Sequence, residues 1–396
     1  MARSVPSCDA VVSECRRAGP PKLGPHWRSV NSLLAAWCLV AAACHPPRQL
    51  PGVPPGTWRT LLGDAGRSAY AAETVPTTVR IVWRKSVGRG ITAALQVHGD
   101  VLVATTTGRT AVTLRADDGM QYWSYGFRSA IAGSVLKKDH RLIIATGDRD
   151  GRVHALEITR GRRLWSRSVG AVRVEPVLVQ DRIVIATEEG RVASIAESDG
   201  AEVWRMTVGA PPAIPPTASE GMVLVATLAD SLFVLDADRG RVLARRLLPA
   251  SASAPALLRP DMFILPLQTG EVVAFALPSL EVIWRVSLNG QRALAAPVTT
   301  GNGAIALLTR DAALWRIEAS GQATRIAALG GAATGSLTAA ANGFIVGKLD
   351  GSLTHLDPDG ELIWQIQLGE SIVAPVAIRS GAVYVALFRG HVVKLQ

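Results

Sequence analysis

From about residue 79 the chain sets short apolar runs between turn-forming residues, on a fixed beat. Val101-Leu-Val-Ala-Thr105 is followed by Ala111-Val-Thr-Leu114, and Leu142-Ile-Ile-Ala-Thr146 by Val153-His-Ala-Leu156. The last such pair is Val383-Tyr-Val-Ala-Leu387 with His391-Val-Val-Lys-Leu395. Runs of this length, rich in Val, Ile and Leu and bounded by Asp-Gly or Gly-Arg turns, predict strand hairpins rather than helices. After each hairpin comes a more polar strand, usually marked by a tryptophan. Tryptophans stand at 83, 123, 165, 204, 284 and 364, and the same register falls on Ala244 and Arg325, with successive spacings of 40, 42, 39, 40, 40, 41 and 39. Six of the eight positions have a glycine four residues earlier: Gly119, Gly161, Gly200, Gly240, Gly321 and Gly360.

Four short strands per forty residues predict an all-β repeat fold, a β-propeller. Proline before apolar residues, as in Glu175-Pro-Val-Leu178, Ala254-Pro-Ala-Leu257, Ala296-Pro-Val298 and Ala374-Pro-Val376, is expected to open the innermost strand of a blade, where no ladder bond is lost. The ends of the repeat define its closure. The Trp83 strand has no hairpin before it, and the hairpin ending at Leu395 has no tryptophan-type strand after it. Pairing the two orphans leaves no long open edge. The expected architecture is a single eight-bladed propeller of four-stranded antiparallel blades over residues 79–396, closed by its N- and C-terminal strands.

The region before the repeats is of another kind. Ser29 to Cys44 carries no charge, and Leu33-Leu-Ala-Ala-Trp-Cys-Leu-Val-Ala-Ala-Ala43 is an apolar core preceded by Lys22 and Arg28. It is too short to span a bilayer as a helix and suits the apolar region of a signal peptide. Ala41-Ala42-Ala43 leads into Cys44, then His45-Pro46-Pro47. This resembles the lipobox of bacterial lipoproteins, in which the cysteine is acylated and becomes the new N-terminus. Ala41 stands where leucine is commoner, and the bland alternatives are an ordinary secretory signal or a buried apolar helix. The leader is long, which leaves room for a start downstream of Met1. Residues 1–44 are therefore expected to be a lipoprotein signal with Cys44 as lipid anchor. Residues 45–78, which hold Pro46, Pro47, Pro51, Pro54, Pro55 and Pro76, are expected to be a tether and entry segment.

Composition narrows the chemistry. At 396 residues with 48% hydrophobic and 19% charged residues, the chain has ample material for a core. The net charge of +10 comes from 42 basic and 32 acidic residues. The first 44 residues hold five basic and two acidic ones, which leaves 37 − 30 = +7 for the rest. No block of five like charges occurs, so the balance indicates solubility and no nucleic-acid partner. All four cysteines (Cys8, Cys15, Cys38, Cys44) precede residue 45. The propeller region therefore has no disulfide, thiolate metal site or cysteine nucleophile.

The repeats resemble the quinoprotein-type repeat. The best copies are Gly151-Arg-Val-His-Ala-Leu156 with Gly161 and Trp165, and Gly351-Ser-Leu-Thr-His-Leu-Asp357 with Gly360 and Trp364. In that family the outer-strand tryptophan docks between neighbouring blades, a role the resemblance implies for Trp83, Trp123, Trp165, Trp204, Trp284 and Trp364. The family contains quinone-dependent dehydrogenases and also non-enzymatic scaffolds, notably the BamB-type lipoproteins of the outer-membrane β-barrel assembly machinery. The lipobox, Trp58 with Gly63-Asp64, and Val82-Trp-Arg-Lys-Ser-Val-Gly-Arg-Gly-Ile91 all look like the second group. The resemblance implies a periplasm-facing outer-membrane lipoprotein with no cofactor, held to the membrane by its lipid and partnered by envelope proteins of that machinery. His45 after the cysteine is not the aspartate that retains lipoproteins at the inner membrane in some bacteria, which also points outward. In BamB-type proteins a leucine- and arginine-bearing loop after the fourth tryptophan-type strand contacts the barrel's periplasmic domains. This chain has Gly209-Ala-Pro-Pro-Ala-Ile-Pro-Pro216 there.

No catalytic constellation emerges. A quinoprotein dehydrogenase needs a catalytic aspartate, calcium ligands and usually an adjacent cysteine pair; a dehydrogenase-like or ligand-sensing propeller is the alternative reading. Asp148-Arg-Asp150-Gly151 and Asp357-Pro-Asp359-Gly360 lack the remaining ligands of a calcium loop, and similar Asp/Gly pairs at Asp117-Asp-Gly119 and Asp199-Gly200 make turn chemistry the better account. No metal site is expected. His45, His98, His140, His154, His355 and His391 share no ligand spacing, and His154 and His355, at nearly equivalent repeat positions, are expected to pack. Arg84-Lys85, Arg167, Arg205, Arg245-Arg246 and Arg285 beside the tryptophans form either a basic girdle for anions or, as favoured here, charges that keep outer strands from aggregating.

Overall fold

A computed structural model describes residues 70–396 apart from 138–140, 148–150 and 220. Cys44, the signal 1–44, His45, Trp58 with Gly63-Asp64, His140 and the Asp148–Asp150 turn lie outside the described residues.

Every regular element among the described residues is a strand, and the strands form eight antiparallel blades. Seven blades follow one another in sequence, over residues 96–126, 131–168, 177–207, 217–247, 257–287, 298–328 and 333–367. Each runs from a short inner strand outward through two middle strands to an outer one. Blade 8 is composite. Its three inner strands are Ala377–Arg379, Ala382–Leu387 and His391–Leu395, and its outer strand is Ile81–Ser86, antiparallel to His391–Leu395 with Trp83 opposite Lys394. Arg80 and Gln396 exchange backbone bonds of 3.0 and 3.1 Å just beyond the ladder. The two orphan ends of the repeat thus complete one blade.

Burial follows this geometry. Middle strands are covered on both faces by neighbouring blades, so their sequences are continuous apolar runs; Leu142, Ile143 and Ile144 are all fully buried. Outer strands are covered on one side and read as alternation. Inner strands are only two or three residues long in most blades, and Pro176 and Pro297 immediately precede theirs.

One face of the disc is tied down by a repeated pair of backbone bonds. The turn between the two middle strands donates to the loop entering the same blade, as in Thr107 to Gly90, Glu188 to Ala171, Leu228 to Pro211 and Phe388 to Ser371. The residue after the outer strand donates back to the turn, as in Phe127 to Arg109, Val208 to Gly190 and Leu248 to Asp230. Arg109, Asp230 and Ala312 hold the turn's left-handed conformation where Gly190, Gly270, Gly351 and Gly390 stand in other blades.

The end of the entry segment belongs to the folded body. Tyr70–Ala71 pairs in parallel with the inner strand of blade 7, making that sheet five-stranded. Val75 is buried and exchanges two bonds with the Asn342 side chain, at 2.9 and 2.8 Å.

Candidate functional site

The six tryptophans occupy outer strands, and their partners belong to the next blade. The indole Nε1 of Trp83 donates to the Ala116 carbonyl (3.2 Å), Trp123 to Ile158 (2.7 Å), Trp165 to Glu197 (3.0 Å) and Trp204 to Ala237 (2.9 Å). Trp364 donates to Pro76 (2.9 Å), so the entry segment supplies the acceptor where blade 8 has no turn of its own. Five of the six indoles also lie on a glycine of the following repeat: Trp83 on Gly119, Trp123 on Gly161, Trp165 on Gly200, Trp204 on Gly240 and Trp284 on Gly321. A Cβ at Gly161 would come within 2.6 Å of the Trp123 ring. These glycines also have positive φ, at +69° for Gly119 and +67° for Gly161. The glycine four residues before the outer-strand register position therefore serves the preceding blade's ring where that blade has one. Gly360, which follows the blade with Arg325, lies against Ile326 and Ala327 instead. Blade 4 departs from the pattern. It has Ala244 in place of tryptophan, and the next blade has buried Leu280 where the glycine would be, at φ +61°.

The arginines beside the tryptophans are engaged rather than free. Arg167 Nε donates to the Gly200 carbonyl (3.0 Å) and Arg246 to the Leu280 carbonyl (2.8 Å), both across a blade boundary. Arg84 pairs with Glu370, Arg205 with Glu202, and Arg245 lies over the Phe233 ring. Their apolar neighbours Ile81, Val82, Val203, Val242, Leu243, Val282 and Ile283 stay exposed.

Asp/Gly pairs serve turns. The Asp357 carboxylate accepts the backbone N–H groups of Asp359 and Glu361 at 2.9 Å, and Asp199 does the same for Ala201. Among the described residues no three His, Cys, Asp or Glu side chains come together to hold a metal ion.

His154 and His355 are both buried but differ by one register position: His154 faces Ser166 across the ladder, whereas His355 faces Trp364. Their rings stack on different aromatics, Phe127 at 5.1 Å and Trp364 at 5.3 Å. Burial, with Arg152 and Arg163 adding to it, pushes His154 down to about 4, and burial does the same for His355. An unfolded chain protonates histidine near pH 6.5 and so binds more protons than the folded one below that pH. The stability carried by the neutral rings is complete above about pH 6.5 and lost as pH falls through about 4. We expect the thermal midpoint to drop over that window, and to drop less in His355→Leu. Superimposable pH profiles for the two proteins would show that His355 contributes nothing to the dependence.

The face that carries the entering loops has two features the repeat pattern did not reveal. A cavity of about 420 Å³ opens among the loops entering blades 1 to 4, lined by Thr92, Ala132, Arg173, Glu175 and Pro215. On the same face, in blade 4, Leu228 is 60% and Leu247 74% exposed. Leu228 sits on a turn and is bonded to Pro211, within the 209–216 loop. Leu228 holds a turn position that is Thr107, Glu188 or Gln268 in blades 1, 3 and 5 but Leu349 or Phe388, also exposed, in blades 7 and 8. Blade 4 differs in adding Leu247 at the end of its outer strand.

A profile of the family described as outer membrane protein assembly factor BamB matches residues 69–173 and 149–312, more than half of the sequence. The chain belongs to this family. No curated protein matches its sequence. Among solved structures, BamB from Moraxella catarrhalis is 14% identical with a TM-score of 0.68, over 81% of this chain and 100% of that one. The quinohemoprotein alcohol dehydrogenase of Comamonas testosteroni is 12% identical with a TM-score of 0.71, over 86% and 80%. The computationally designed protein Ika8 is 15% identical with a TM-score of 0.68, over 78% and 97%. At these identities the likenesses show the fold, which this BamB-family chain shares with dehydrogenases. The described residues lining the cavity include no aromatic side chain, and no set of calcium ligands converges among the described residues.

Proposed function

We propose that this protein is a non-enzymatic, periplasm-facing lipoprotein of the outer membrane. Its propeller would present the loop face of blade 4 to proteins of the β-barrel assembly machinery. The observation that carries the reading is that blade 4 exposes two leucines, Leu228 bonded to Pro211 of the 209–216 loop and Leu247 paired with Ser231 just after the same turn. The resemblance to BamB-type proteins puts their partner-contacting loop at the position of residues 209–216. Isolated apolar residues on a surface are ordinary, but two together at a loop cluster on a rigid body suit a protein contact. Function in such a fold resides in loops held by the blades. The tethered proline loop Gly209–Pro216 and the two leucines would replace the leucine–arginine pattern at this position.

Affinity capture from solubilised envelope tests the reading. Components of the assembly machinery should co-purify with the native protein and be depleted by Leu228→Ser with Leu247→Ser. Capture that brings down none of them, or brings them down equally with the double variant, refutes it.

Anchoring is tested separately. Cys44→Ala should leave a foldable propeller that takes up no labelled fatty acid and no longer sediments with membranes, because two or three acyl chains hold far better than one or none. Label retained by Cys44→Ala would mean that the lipobox reading is wrong.

A further inference from the structure

A cavity of about 650 Å³ is a groove between the outer strands of blades 1 and 2, away from the blade 4 loops. Arg128 enters from the loop after blade 1, Arg152 from a middle strand of blade 2, and Arg163 from its outer strand. The described lining residues include no carboxylate, and none of the three guanidiniums forms an ion pair among the described residues. Several other arginines on outer strands are neutralised or bonded across blades, as are Arg84, Arg167, Arg205 and Arg246, so three cations with no ion pair among the described residues are a departure. Arg152 is held in place by its bond to the Ser166 hydroxyl at 2.8 Å.

The floor supplies a second, independent observation. His154 is 92% buried, being 8% exposed, and lines the groove. Its Nε2 lies 3.5 Å from the Thr146 hydroxyl, and its Nδ1 has no partner. A buried ring nitrogen without a partner forgoes a hydrogen bond, and the ring it belongs to forms part of the groove's floor. The walls add Tyr125 and Phe127, whose rings stand 4.9 Å apart, and Trp165.

We propose that this groove binds a phosphate monoester, with the phosphoryl group among Arg128, Arg152 and Arg163 and its organic part against Tyr125 and Phe127. Three guanidinium forks offer more donors than the two oxygens of a carboxylate can accept, whereas a phosphoryl group presents three oxygens. The volume falls within the range of small-molecule sites and exceeds what a bare ion needs. A bound dianion would also offset the two arginines that face His154, and so favour protonation of the ring. The groups facing His154 are Arg152 on its own strand, Arg163 on the outer strand and, across the groove, Phe127 with Arg128; none of these is acidic.

Phenyl phosphate is a suitable probe, with the full-length protein titrated by calorimetry at about pH 7. Saturable one-to-one binding is expected, weakened at least tenfold in Arg128→Gln with Arg163→Gln. Both side chains are exposed, so the variant should keep the native thermal midpoint. In protein carrying 13C-labelled histidine, the His154 signal, identified by its loss in His154→Gln, should titrate at higher pH with the ligand than without it. Inorganic phosphate should bind more weakly, for lack of the ring. No saturable binding of phenyl phosphate, equal binding by the double variant, or a His154 titration unmoved by ligand would overturn the proposal. Binding only to phosphatidylglycerol vesicles would overturn it in favour of a membrane surface. Tighter binding of oligoglutamate than of phenyl phosphate would overturn it in favour of an acidic protein segment.

Discussion

Deletion of residues 79–87 is expected to leave a chain with little or no cooperative unfolding transition. That segment is the outer strand of blade 8. Without it, the strand His391–Leu395 loses its ladder on one side. The indole of Trp83 vanishes from the blade 1 boundary together with its bond to Ala116. Glu370, almost fully buried, loses Arg84. Joining residue 78 to residue 88 also drags Pro76 away from Trp364 and Val75 away from Asn342, so a second boundary is disturbed. Truncation of one core aromatic costs about 3–5 kcal/mol, and the loss of one charged partner from buried Glu370, which keeps His391 and the Arg389 N–H, adds to that. The sum approaches the ~5–15 kcal/mol that holds a whole domain. Deletion of residues 46–57, expected to be tether, should leave the thermal and urea midpoints unchanged. Comparable midpoints for the two deletions would contradict a ring closed by its two ends.

Much of this fold was legible because each blade solves the same packing problem with the same residues in the same order. The period of the tryptophans and the unpaired ends at Trp83 and Leu395 were enough to give eight blades and their closure. What a one-dimensional pattern does not carry is the partner of each repeated residue. Gly161 and Trp165 stand close together in sequence, yet Gly161 lies under Trp123 of the blade before. The repeat places them in one motif because every blade contributes one half of two successive boundaries. The acceptor role of Pro76 was hidden because it borrows a register position from a repeat that has no tryptophan before it in sequence. The groove at His154 was hidden for a different reason: Arg128, Arg152 and Arg163 sit at unrelated positions of two repeats, and only blade stacking brings them to one cavity. Leu247, by contrast, broke a visible pattern, since the outer strands of other blades end in small or polar residues such as Ser86, Ser168 and Ser287, whereas Leu228 shares its turn position with Leu349 and Phe388.

Blade 4 offers a test of the boundary chemistry itself. Everywhere else that a docking glycine is present under a tryptophan, the pair is large over small. At the blade 4–5 boundary it is small over large: Ala244 faces the segment of Leu280, and both belong to one apolar cluster. Leu280 accepts a left-handed backbone that costs a side chain of its type on the order of 1–3 kcal/mol. The burial it gains by filling the space of the absent indole offsets that cost. Leu280→Gly should relieve the backbone but empty the site, for a net loss of about 1–3 kcal/mol once the cavity is counted. Ala244→Trp should overpack against Leu280 and cost about 1–3 kcal/mol. Together they should rebuild the arrangement seen at Trp204 and Gly240, with the new indole free to reach the carbonyl of Leu277, the counterpart of Ala237. The double variant is therefore expected to be more stable than the two single losses predict, by a coupling of about 1–3 kcal/mol. Urea unfolding of the four proteins measures that term directly. Simple additivity would mean that the boundary does not recognise the ring, and that the alternation of tryptophan and glycine along the chain reflects separate requirements within each blade.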